Sequence, residues 1–80
     1  MKKPRERSYS LEVARRIREL RIVHELTQQD IANGLKIDRS TYTYYETGRI
    51  SLPLETLKDL AIFYGVSSDY LLGITVCPAV

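Results

Sequence analysis

The side chains best suited to chemistry in this 80-residue sequence are concentrated in residues 39–47, RSTYTYYET. At about 100° per residue on a helix, four hydrogen-bonding side chains share one face: Arg39, Ser40, Thr43 and Tyr44. Tyr42 and Tyr45 fall on the other face, so burying them would turn the four polar groups outward. Arginine pairs with guanine, and hydroxyl groups donate to or accept from base edges. The stretch therefore suits base edges in the DNA major groove, although every amphipathic helix exposes a polar face.

The elements that position this stretch are predicted to be helices. Ser10 is the expected N-cap of a first helix, in which Val13, Ile17 and Leu20 share one face. Thr27 and Asp30 resemble a capping box that opens a second helix. Asp38 is the expected cap of the third helix, about 39–47, and Gly48 its end.

Two more helices follow the third. Pro53 precedes a fourth helix that ends at Gly65, and Ser67 or Ser68 caps a last one that ends at Gly73. With no strand candidate, the fold class is all-α, a compact five-helix bundle. About three residues join the second and third helices, which is the proportion of a helix-turn-helix.

Length and composition bound the possible functions. Eighty residues allow one domain, and no run of 18 apolar residues is present, so we predict no membrane span and a cytoplasmic protein. The single Cys77 and single His24 have no partners for a disulfide, a metal site or a nucleophile. We therefore predict no catalytic residue, no metal, no cofactor and no enzymatic activity.

Charge is unevenly distributed along the chain. Residues 1–21 hold eight basic and three acidic side chains, whereas residues 22–80 hold four basic and seven acidic ones. A basic end indicates an anionic partner such as nucleic acid, or only a solvated terminus. The predicted organisation is a flexible basic tail at 1–9, a DNA-binding domain at 10–73 and an apolar tail at 74–80.

The apolar tail suggests an interface between two copies of the chain. Together with two residues of the fourth helix and one of the fifth, it offers more apolar surface than a small monomer usually exposes. The predicted homodimer interface consists of Ile62, Phe63, Tyr70, Ile74 and Val76. The alternative is a tail folded over its own core.

Several short motifs, in order, resemble the Cro/repressor-type (XRE) helix-turn-helix family. They include Leu20-Arg21, Thr27-Gln28, Glu46-Thr47-Gly48 and Tyr70-Leu71-Leu72, and the resemblance covers about residues 10–73. It implies a lambda repressor-like five-helix domain whose third helix enters the major groove. The resemblance places the same four residues that the helical angles select at the base-reading positions of that helix: Arg39, Ser40, Thr43 and Tyr44.

The resemblance implies further roles. In this family, certain positions contact DNA phosphates, and the resemblance places there Thr27, Gln28, Thr47 and Arg49. Arg21 and Glu46 match a structural ion pair between the first and third helices. The sequence departs from the family at Glu25 and Lys36, where glycine is common and a left-handed backbone is expected. Gly34 would relax that demand if it ended the second helix early.

These features predict a sequence-specific double-stranded DNA-binding regulator of transcription, most simply a repressor that occupies an operator as a homodimer. The alternative function is a protein-interaction module, such as an antitoxin, that uses the same fold to bind a partner protein. The apolar tail is the feature that favours this alternative.

Overall fold

The computed structural model describes the backbone of residues 5–76 and the side chains of residues 11–76. This part of the chain forms five helices: α1 (Arg5–Val23), α2 (Gln28–Leu35), α3 (Arg39–Thr47), α4 (Leu54–Tyr64) and α5 (Ser68–Leu72). The all-α prediction is confirmed. Helix α1 packs on α3 and α5, while α2 packs on α3 and α4, so α3 is held between α1 and α2.

The first helix begins earlier than the sequence pattern predicts. It starts at Arg5, so Ser10 lies inside the helix and the prediction that Ser10 is its N-cap is wrong. The first turns are polar and carry no apolar periodicity, which is why the pattern placed the start too late. Of the predicted flexible tail at 1–9, residues 5–9 are helical, and residues 1–4 lie outside the described residues.

The ends of the other helices follow their capping residues. The Thr27 hydroxyl accepts from the Asp30 amide at 3.0 Å, and the Asp30 carboxylate accepts from the Thr27 amide at 2.9 Å, so the capping box is confirmed. The Ser67 hydroxyl accepts from the Tyr70 amide at 3.0 Å. Gly48 ends α3 with a φ of 78°. An added Cβ there would lie 2.8 Å from the tip of the exposed Leu11 side chain, which can move aside, so it is the left-handed backbone that favours glycine at this helix end.

The core is formed by the inward faces of all five helices. Apolar side chains that are fully buried include Ile17, Ile31, Tyr42, Leu60 and Leu71, one from each helix. Ile37 in the turn between α2 and α3 packs against this cluster. Its amide donates to the Ala32 carbonyl at 3.0 Å, which closes the end of α2.

Two residues without glycine's freedom adopt the left-handed backbone that the sequence predicts. The φ angles are 59° at Glu25 and 62° at Lys36. Helix α2 continues to Leu35, so Gly34 does not relax the demand on Lys36, and that part of the expectation is wrong. A left-handed conformation costs a residue with a Cβ roughly 1–2 kcal/mol.

Lys36→Gly is expected to raise the free energy of unfolding by up to about 1 kcal/mol, because it removes this strain at a modest entropic cost in the unfolded chain. Urea denaturation followed by circular dichroism measures it. The matched control is Lys58→Gly, an exposed lysine inside α4, which should lower stability by about 1 kcal/mol. A Lys36→Gly protein no more stable than the original would show that the turn is unstrained.

Candidate nucleic-acid interface

Helix α3 has one buried and one exposed face. Tyr42 and Tyr45 are buried, as the sequence predicts. On the other side Arg39, Ser40 and Tyr44 are exposed, and Thr43 is half-buried. The predicted base-reading side chains therefore lie together on the outer side of a helix whose inner side is fixed in the core.

A buried carboxylate, Glu46, anchors α3 to the two helices beside it. Its side chain is 3% exposed, and its two oxygens accept four hydrogen bonds. Arg21 of α1 donates from Nε at 2.7 Å and from a terminal nitrogen at 3.1 Å. Gln28 of α2 donates at 2.9 Å, and the Tyr42 hydroxyl donates at 2.7 Å. Arg21 also donates to the Leu26 carbonyl at 2.9 Å, so one network joins three helices.

The Tyr42 bond and the Gln28 bond are contacts that sequence reasoning missed. Tyr42 and Glu46 are four residues apart in one helix, a spacing at which side chains meet, so this contact could have been found. The Gln28 contact depends on how α2 crosses α3, which spacing along the chain does not give.

The network fixes the protonation states of its members. Burial by itself would raise the pKa of Glu46, but hydrogen bonds from Arg21, Tyr42 and Gln28 and the charge of Arg21 together lower that pKa below its usual value. Burial, and next the hydrogen bond to Glu46, raise the pKa of Tyr42. Tyr64 is not hydrogen-bonded to this network, and burial raises its pKa to about 12. At neutral pH the carboxylate is therefore charged and both phenols are neutral.

The lowered pKa of Glu46 predicts a stability that is sensitive to acid. Because the folded-state pKa lies below the unfolded value of 4.5, this stabilisation is present above that value and is lost as pH falls through the folded-state pKa. Glu46→Gln should therefore be less stable than the original at pH 7, but its stability should fall less between about pH 5 and pH 3. Urea denaturation across that pH range measures how the free energy of unfolding of each protein changes with pH.

Glu12→Gln is the control, since hydrogen bonding, first from Arg16, also lowers the pKa of Glu12, and its carboxylate lies at the surface. Surface ion pairs are worth little, so the pH dependence should change far less in this variant. Equal pH slopes for Glu46→Gln and the unmodified chain would contradict the assigned role of Glu46.

The two residues predicted to contact phosphate at the start of α2 differ in their surroundings. Thr27 is exposed, and its hydroxyl oxygen serves the helix cap. Gln28 is half-buried and bridges Glu46 and Thr43, whose hydroxyl donates to the Gln28 carbonyl oxygen at 2.8 Å. The amide nitrogen of Gln28 has two hydrogens, so one remains available after Glu46 has accepted the other.

The two predicted phosphate contacts at the end of α3 and just beyond it are exposed. Thr47 lies at the end of the helix, and its hydroxyl is 3.3 Å from the Tyr44 carbonyl oxygen. The Arg49 guanidinium carbon lies 5.2 Å from the centre of the Tyr44 ring, a cation–π arrangement. The structure thus places a cation beside the aromatic member of the predicted base-reading set.

The start of α3 has free amide groups. Asp38 occupies the N-cap position, but its side chain makes no capping hydrogen bond, so the expected side-chain cap is absent. Unpaired amides at a helix N-terminus favour anions. Arg39 and Ser40 extend from this same end.

Of the four arginines of α1 whose side chains the structure describes, three are paired with carboxylates. Arg15 contacts Glu12 at 2.8 Å and Glu19 at 3.0 Å, and Arg16 contacts Glu12 at 2.6 Å. Together with the pairing of Arg21, these contacts show that the basic count of residues 1–21 overstates the free positive charge of α1.

Four of the five predicted interface residues are exposed apolar side chains. Val76 is 87% exposed, Ile62 71%, Ile74 66% and Phe63 43%. Tyr70 differs because it is half-buried, and the Arg16 guanidinium carbon lies 4.9 Å from the centre of its ring.

Within the described residues, no group of three or more His, Cys, Asp or Glu side chains is arranged to hold a metal ion. No helix in this part of the chain is long and apolar enough to span a membrane. Cys77, in the predicted tail, lies outside the described residues.

Comparison with known proteins agrees with this architecture. A family model described as helix-turn-helix matches residues 17–71. The transcriptional repressor RstR of the cryptic phage CTXphi of Vibrio cholerae is 47% identical over 51 residues, which are 64% of this chain and 46% of that protein. YobD of Bacillus subtilis, an uncharacterized HTH-type transcriptional regulator, is 43% identical over 60 residues, 75% of this chain and 54% of that protein. The chain thus spans about half the length of these curated relatives. No solved structure matches it significantly.

Proposed function

Because this chain belongs to the Cro/repressor-type (XRE) helix-turn-helix family, we propose that it is a sequence-specific regulator of transcription that binds double-stranded operator DNA. The observation that carries the proposal is the outer face of α3. It presents Arg39, Ser40, Thr43 and Tyr44 on a helix whose other face is buried around Tyr42 and Tyr45. A helix enters the major groove with such side chains toward the base edges.

Groups on either side of α3 would hold the helix in register on the DNA. The second amide hydrogen of Gln28, the Thr27 and Thr47 hydroxyls and the Arg49 guanidinium are proposed phosphate contacts. Exposure of Thr27, Thr47 and Arg49 supports this role, and contacts to phosphate position a protein without reading sequence. The N-terminus of α4, where Pro53 offers no side-chain cap, is a further place for a phosphate.

We propose repression by occupancy of the operator as the mode of action and the cytoplasm as its location. The name of the Vibrio phage relative, a transcriptional repressor, supports the sign of regulation. The proposed function uses no catalytic group and no cofactor.

Selection of binding sites from a randomised duplex pool tests the function. The purified protein, shown to be helical by circular dichroism, is incubated with the pool at one fixed salt concentration, because phosphate contacts make affinity steeply dependent on salt. We expect an enriched sequence. A folded protein that enriches nothing would contradict DNA recognition and direct attention to a protein partner as the ligand.

We also propose that the chain acts as a homodimer, with an interface formed by Ile62, Phe63, Ile74 and Val76 and bordered by Tyr70. Exposure of the first four apolar side chains supports it, since patches of this kind mark interaction sites. A symmetric dimer would bind two half-sites about 34–36 Å apart.

Sedimentation equilibrium tests the dimer. We expect a dimer at tens of micromolar for the unmodified chain and a monomer for Ile74→Glu, because a buried unpaired charge is costly at an interface. Ile22→Glu is the control: Ile22 is an exposed apolar residue of α1 outside the proposed interface, and this variant should remain dimeric. A monomeric unmodified chain, or a dimeric Ile74→Glu, would contradict the interface.

A further inference from the structure

We propose that the Thr43 hydroxyl reads DNA only as a hydrogen-bond acceptor, and so selects adenine or cytosine over guanine or thymine on the strand it contacts. The inference rests on the proposed DNA-binding function and specifies the chemistry of one position in the operator. It follows from three hydrogen bonds that determine where the single hydroxyl proton goes.

Thr43 has two partners inside the protein, and both are acceptors. Its Oγ1 lies 2.8 Å from the Gln28 carbonyl oxygen and 2.9 Å from the Arg39 main-chain oxygen. A threonine hydroxyl carries one proton and two lone pairs. Whichever of the two oxygens accepts the proton, no proton is left to donate to a base.

The orientation of Gln28 is fixed by its other neighbour. The amide nitrogen of Gln28 donates to a Glu46 oxygen at 2.9 Å. Rotating the amide by half a turn would bring its oxygen against the carboxylate, and two acceptors repel. Glu46 is itself held in place and kept charged by Arg21 at 2.7 Å. The Gln28 oxygen, and not its amino group, therefore faces Thr43, so this partner can only accept a hydrogen bond from the hydroxyl.

Thr43 is half-buried on the outer side of α3, and with its proton used within the protein it can offer a base only lone pairs and its methyl group. In the major groove adenine presents the N6 amino group and cytosine the N4 amino group, and both donate. Guanine presents O6 and N7 and thymine presents O4, all acceptors, which face a lone pair unfavourably. Because each base pair carries one amino and one keto base at this edge, an acceptor distinguishes the two strands at its position.

Two parallel binding-site selections, with the unmodified chain and with Thr43→Val, locate the contacted base pair. Valine keeps the shape of threonine but has no hydroxyl, and circular dichroism verifies that the variant is folded. We expect one position at which the unmodified chain enriches adenine or cytosine on one strand and at which Thr43→Val loses this preference. Thr43→Ser, which retains a hydroxyl with the same two acceptors, should restore it.

Base analogues then test the amino group itself. Purine in place of adenine, or a pyrimidinone lacking the N4 amino group in place of cytosine, is introduced at that position of the selected duplex. Affinity of the unmodified chain should fall about three- to tenfold, the value of one hydrogen bond, while affinity of Thr43→Val should not change.

Each other outcome has one meaning. The acceptor assignment is wrong if the base preference that Thr43→Val loses is for guanine or thymine on the contacted strand, or if Thr43→Val changes no base preference. It is also wrong if the base analogue weakens binding of both proteins equally. In each of these cases DNA recognition itself still stands. If the folded unmodified chain enriches no sequence at all, the proposed function fails, and this inference fails with it.

Discussion

Arg21→Ala is expected to lower the free energy of unfolding by about 3–5 kcal/mol, the cost of leaving a buried charge without its partner. The Glu46 carboxylate that loses the guanidinium is 3% exposed and receives two of its four hydrogen bonds from Arg21. The Leu26 carbonyl also loses its donor. The whole free energy of unfolding of a small domain is only about 5–15 kcal/mol, so this substitution removes a large share of the stability.

Urea denaturation followed by circular dichroism measures the loss. Arg18→Ala is the matched control, since Arg18 is an exposed arginine of the same helix, and a change within about 0.5 kcal/mol is expected there. If Arg21→Ala does not fold, Arg21→Met combined with Glu46→Gln keeps the test open. Removing the carboxylate charge should make that double variant more stable than Arg21→Met alone. Similar small losses for Arg21→Ala and Arg18→Ala would show that the pair does not stabilise α3.

The second large effect is on DNA binding. Arg39→Ala should cost about 1–3 kcal/mol at one base pair of the operator and relax the preference there, because arginine binds guanine with two hydrogen bonds. Arg39 is exposed at the start of α3, so stability should change little. Titration of the selected duplex, with each base substituted at each position, gives affinity and preference together.

Arg18→Ala serves again as the control, because it removes the same charge from the protein at an exposed site of α1. Its effect should be small and equal for every substituted duplex. If Arg39→Ala bound all of these duplexes with the affinities of the unmodified chain, α3 would not be the reading helix.

Helix ends were predictable because they depend on single residues with a local physical role. Thr27 and Asp30 cap α2 through each other's amides, and Gly48 adopts the left-handed backbone that ends α3. The same reasoning failed at Ser10 because a helix interior tolerates serine, and the polar turns of α1 before it have no apolar period to mark the true start. It failed for the Asp38 side chain because a sequence specifies the cap position but not the rotamer.

The candidate site was predictable in outline and not in its connections. Helical angles placed Arg39, Ser40 and Tyr44 on the outer face, since only the period of α3 was needed. Gln28 contacts both Glu46 and Thr43. These two residues follow it in the sequence by 18 and 15 positions, so the contacts depend on how two helices cross. The pairing of Arg15 and Arg16 within α1 likewise altered the meaning of a simple charge count.

The division of α3 into an inner and an outer face has a consequence for how such a protein could be redesigned or could diverge. Arg39, Ser40 and Tyr44 are exposed and can be exchanged without disturbing Tyr42 or Glu46, so a new operator preference need not be accompanied by compensating changes in the core. Thr43 is the exception, because it is bonded to Gln28. A library that randomises the three exposed positions should leave the contacts of Gln28 unchanged, whereas most exchanges at Thr43 would also remove the hydroxyl that is bonded to Gln28.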